Sequence, residues 1–156
     1  MTQTSRQYIQ RLQIIHAAQV VMIGVFSLIA YMSRPPLVEG KEILIYILAA
    51  ILVAGIVASQ IIAKILLAKA AAEPTLALKL TRYITATLVR LACLEVPGFF
   101  AAVVVLISGN VMAYIGSAGV LLMFFLFRPT PNLVIQELAL GGDEKARMEN
   151  PEGIIG

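Results

Sequence analysis

The chain is poor in the residues that do most protein chemistry. Among 156 residues there is one cysteine, one histidine and no tryptophan, and only 13% are charged. A lone cysteine, Cys93, excludes an intrachain disulfide and hence a secreted disulfide scaffold. With His16 and Cys93 far apart and no further copies of either, a metal centre is not expected. The low charge excludes a disordered chain. No phosphate-binding glycine loop is present, and Gly116-Ser117-Ala118-Gly119 lies inside an apolar run. No paired carboxylates or triad-like grouping of Ser, His and acid appears, so no enzyme activity and no cofactor are expected.

What fills the chain instead is hydrocarbon. Hydrophobic residues make up 60% and the mean hydropathy is +0.90. A soluble domain carries ~45–50% apolar residues, and a globule of this size cannot hide more. The composition specifies an all-α integral membrane protein. Spanning the bilayer takes about 20 apolar residues per helix. Four runs qualify: residues 12–32, 43–67, 83–107 and 111–127. Their length and lack of alternation exclude a β-barrel. The first run exceeds a signal-peptide core of ~7–15 residues and lacks a small-residue cleavage site, so it reads as a permanent span. The expected fold is a four-transmembrane-helix bundle over 1–128 followed by a cytoplasmic tail, 129–156.

The connections give the topology. Arg34-Pro35-Pro36 stops the first helix. Glu73-Pro74-Thr75 marks the second connection, flanked by helical extensions of its neighbours. Ser108-Gly109-Asn110 is a tight turn between spans three and four. On one side lie Arg6, Arg11, Lys64, Lys69, Lys79, Arg82, Arg128, Lys145 and Arg147; on the other lie Arg34 and Lys41, with Arg90 inside a span. Basic residues mark the cytoplasmic face, so both termini are expected there. The +3 net charge expresses that bias and implies no nucleic-acid partner. In the tail, Thr130 and Pro131 read as the N-cap and first residue of a short cytoplasmic helix to Leu140, ended by Gly141-Gly142. The charged run 143–149 reads as solvent-facing.

Spans one and three share a faint pattern. Ile15-His16-Ala17-Ala18, Gly24 and Phe26 align with Val89-Arg90-Leu91-Ala92, Gly98 and Phe100 at a constant offset of 74 residues. This fits a duplicated two-helix hairpin, with chance similarity as the alternative. Small residues at Ala50, Ala54 and Ala58, at Gly98 and Ala102, and at Ala113, Gly116, Ser117 and Gly119 point to close helix packing within the bundle, or to contacts with other subunits.

Polar residues inside spans are costly and rare. From the ~1.5 Å rise per residue, Gln19, Gln60 and Arg90 each lie about 10 Å from the cytoplasmic surface and are expected in one layer. That layer reads as a hydrogen-bonded clasp between helices; a substrate or lipid-headgroup site, or a partner contact, are the alternatives. His16 reads as a packing or headgroup contact, with a proton relay as the alternative. Glu95 is the only carboxylate within a span. An unpaired carboxylate at that depth is expensive, which favours the neutral acid. Pro97 removes the partner of the Cys93 carbonyl, and Gly98 follows it, so a kink is expected there. Glu95 is therefore a candidate for structural hydrogen bonding to another helix, for proton or ion carriage, or for an inter-subunit contact.

The segment from Val89 to Phe100, the Ser108-Gly109-Asn110 turn, Phe127-Arg128-Pro129-Thr130 and Leu133 to Leu138 together resemble an uncharacterised family of small four-span bacterial membrane proteins, of the Bacteroidota type. The resemblance implies the four-span fold and a bacterial inner-membrane location. It implies no activity. The expected role is an accessory or structural subunit, partnered by lipid and by itself or other membrane subunits. The alternative is a small proton-coupled transporter or ion carrier using Glu95.

Overall fold

The computed structural model describes residues 3–155. It is 80% helical. The elements are α1 (Ser5–Ser33), α2 (Ile43–Ala71), α3 (Leu76–Ser108), a 3-10 turn (Val111–Ala113), α4 (Tyr114–Leu126), α5 (Pro131–Glu137) and α6 (Gly142–Glu149). Among the described residues the only extended pairing is an isolated antiparallel bridge, Thr4 to Ile154.

Three helices, α1, α2 and α3, are each long and apolar enough to cross a membrane. The sequence predicts a fourth. The 3-10 turn and α4 together run Val111–Leu126, and the chain then turns by 85° into α5. At ~1.5 Å per residue this stretch covers about 24 Å, short of a ~30 Å hydrocarbon core. The sharp turn has a local cause. Pro129 and Pro131 cannot extend a helix from below, and Thr130 starts a new one: its Oγ1 accepts from Leu133 N at 3.2 Å.

The chain divides into two compact units. The first gathers residues 1–16, 60–90 and 128–156. Its core is Tyr8, Leu12, Leu67, Leu80, Tyr83, Val134, Leu138 and Met148 with smaller neighbours. Here the tail, drawn from sequence as a separate cytoplasmic segment, packs directly on helix ends. Ser5 Oγ donates to the Met148 carbonyl at 2.8 Å, Ser5 N to Gly153 O at 3.0 Å, and Arg6 N to Pro151 O at 3.0 Å. Gln13 Nε2 donates to Pro129 O at 2.9 Å, and Tyr8 OH to Leu80 O at 2.8 Å. Lys79 Nζ pairs with Glu144 at 2.7 Å. Met148 is buried, so the charged run is solvent-facing on one side only.

The second unit comprises residues 17–59 and 91–127. Ile23, Leu91, Leu94, Val120 and Phe124 form one cluster; Leu48, Ala101, Val104, Val105 and Ala113 form another. The helix α3 supplies residues to both, so it is the inner helix of this unit. Gly98 of α3 and Gly116 of α4 are close-packed as expected: an added β-carbon would lie 3.3 Å from Val120 at Gly98 and 3.4 Å from Leu48 at Gly116, whereas Gly119 has open space around it. The alanine row of α2 is not used this way. Ala50 and Ala54 are exposed, and Gly55 and Ser59 take the inward positions instead. The Ser108-Gly109 turn packs on the Pro35-Pro36 loop, with Gly109 at φ 68° and Val38 N donating to Ser108 O at 2.9 Å. Only glycine combines that φ with so close an approach.

Candidate functional site: two polar centres

The first centre belongs to the first unit. Arg90 on α3 is buried at 5% exposure, deep enough that a lone cation would be prohibitive. Its Nη1 meets Glu137 Oε1 at 2.7 Å. The other carboxylate oxygen, Oε2, accepts from Tyr83 OH at 2.8 Å. Tyr83 and Arg90 are seven residues apart on α3, two helical turns, and so present the same side to Glu137. The helix α5 turns its apolar side, Val134 and Leu138, into the core and thereby carries Glu137 inward.

Beside this triad is a cleft of about 450 Å³, lined by Gln60, Lys64, Leu67, Ala68, Arg90 and Glu137. Gln60 and Lys64 are one turn apart on α2, and both are exposed. Of the expected layer of Gln19, Gln60 and Arg90, two members, Gln60 and Arg90, line this one cleft. Arg90 takes a carboxylate from the tail, Gln60 lines an open cleft, and Gln19 belongs to the second unit. Depth along a span fixes the layer but not the direction in which a side chain points.

Glu137 is the functional residue that sequence reading missed. The signal was available. Glu95, the carboxylate in the same span as Arg90, lies five residues on and about 140° round the helix, so a buried Arg90 calls for a carboxylate from elsewhere, and Glu137 is the sole acidic residue of α5.

The second centre belongs to the second unit. Glu95 on α3 is half-buried, and Gln19 on α1 lies beside its carboxyl. Gln19 Oε1 is buried without a hydrogen-bond partner. The helix α3 runs through Pro97 without a break. The Cys93 carbonyl, deprived of its helical donor by Pro97, faces the backbone of α2. An added β-carbon at Gly55 would stand 2.9 Å from Cys93 O and 3.1 Å from Pro97 Cγ. A glycine of the neighbouring helix lies against that carbonyl.

His16 is buried and belongs to the first unit. Among the described residues no group of three or more His, Cys, Asp and Glu is placed to hold a metal ion. No protein family, curated protein or solved structure matches the chain.

Proposed function

We propose that the chain is a four-span, non-enzymatic membrane protein that serves as an accessory or structural subunit, in a homo-oligomer or a larger membrane complex, with both termini cytoplasmic. The observation that carries the span count is the meeting of the chain ends. Thr4 bridges Ile154, and Ser5 and Arg6 bond to Gly153 and Pro151. Ends that meet lie on one side of a membrane, so the number of crossings is even. Three helices are long enough alone, and α4 then supplies the fourth crossing despite its shortness, by local bilayer thinning or flanking residues. The first unit holds every lysine and arginine except Arg34 and Lys41, which supports a cytoplasmic placement for it. The inner-membrane location follows from the family resemblance.

The accessory role draws on where the extramembrane residues go. They are folded onto the chain's own helix ends, with Glu137, Glu144 and the Met148 carbonyl each engaged internally. Purification in mild detergent, followed by mass measurement and identification of co-purifying subunits, tests the role. A stable oligomer or a stoichiometric partner is expected. A monomer that takes up protons when reconstituted, in a Glu95-dependent way, contradicts it and favours the carrier reading.

A further inference from the structure

The cleft beside Arg90 has an unbalanced charge. Glu137 is satisfied on both oxygens, by Arg90 and by Tyr83. Arg90 and Glu137 therefore cancel, and neither is a free counter-charge for a third group. Lys64 lines the same cleft and makes no ion pair among the described residues. One turn away, Gln60 adds an amide that donates hydrogen bonds without charge. Leu67 and Ala68 give the cleft apolar walls. The opening thus offers one positive charge, one neutral donor and hydrocarbon.

We propose that this cleft binds the phosphodiester of an anionic phospholipid. A phosphodiester carries a single negative charge, matching Lys64, and its free oxygens accept from Gln60. Depth agrees with this. Lys64 lies five residues before Lys69, about 7.5 Å further into the span from the end of α2, where a lysine stem reaches back to the headgroup level. An acyl chain has a track: Ile61 and Ile65, next to Gln60 and Lys64 on α2, are more than half exposed at 54% and 52%. A soluble phosphate would use the same donors but would gain nothing from that track, which is why the lipid is the favoured source.

The test uses the full-length chain purified in mild detergent and then placed in phosphatidylcholine vesicles, with or without phosphatidylglycerol. Bound lipid is read by native mass spectrometry and by the immobilised fraction of spin-labelled phosphatidylglycerol. The wild type is expected to retain phosphatidylglycerol over phosphatidylcholine. Lys64→Gln should cut that preference about fivefold, the effect of losing one basic group facing anionic lipid. Lys69→Gln, on the same helix but outside the cleft, should leave it within about twofold. Thermal unfolding of both variants confirms that they are folded; Lys64 is exposed, so its loss should not unfold the chain. Equal losses in the two variants would mean diffuse attraction to the surface and would overturn the site. Displacement of the lipid by millimolar inorganic phosphate would overturn the lipid as its occupant in favour of a free anion. Equal retention of phosphatidylcholine would overturn both.

Discussion

Arg90 and Glu137 meet at 2.7 Å across 47 residues of sequence, one on the longest helix and the other on a seven-residue helix of the tail. Both side chains are largely buried, at 7% and 16% exposure. Removing one member of such a pair leaves the other charged and buried, at a typical cost of about 3–5 kcal/mol. Arg90→Gln and Glu137→Gln should each destabilise the protein on that scale in detergent unfolding. Arg90→Leu combined with Glu137→Leu should recover part of the loss, because it removes both desolvation costs but leaves the buried Tyr83 hydroxyl without its acceptor. Single variants that unfold like wild type would mean the pair does not hold the tail.

Gly55 is expected to be intolerant. A β-carbon there meets a carbonyl oxygen and a proline ring, neither of which can swing aside. Gly55→Ala should cost about 1–3 kcal/mol, the range for overpacking. Gly24 has open space around it on α1, so Gly24→Ala is the matched control and should lose nothing. Equal melting temperatures for the two variants would show that α2 can retreat from Pro97 freely.

Glu95 separates the structural reading from the carrier reading. Glu95→Gln keeps the shape and a hydrogen-bonding group beside Gln19, so oligomer yield and unfolding should change little. Glu95→Ala removes the hydrogen-bonding partner of the Gln19 side chain and should destabilise by about 1–3 kcal/mol. If Glu95→Gln instead abolishes proton movement in reconstituted vesicles while assembly is intact, the carboxyl carries protons.

The hydrocarbon lengths and basic loops made the helices legible in the sequence, because those features depend on composition alone. The start of α5 was legible for a similar reason: Thr130 and Pro131 encode a cap and a first turn locally. What the sequence hid was direction. Arg90 is turned to Glu137 and Gln19 to Glu95, since rotation about a helix axis is set by packing that an almost uniformly apolar span does not encode. For the same reason, the spacing of Ala50 and Ala54 suggested a packing face that turns outward, while Gly55, one residue on, makes the close approach. Glu137 escaped notice because it stands outside every span.

The central claim is an even number of crossings, with the chain ends clasped together on the cytoplasmic side. It is tested most directly by single cysteines at Gln10, Glu39, Ala72, Met112 and Ala146 in a Cys93→Ser background, all exposed positions. An impermeant thiol reagent is applied to intact cells and then to inverted vesicles. The account predicts labelling of Glu39 and Met112 positions in cells, and of Gln10, Ala72 and Ala146 positions only in inverted vesicles. Labelling of the Ala146 position in intact cells, on the same side as Met112, would contradict it.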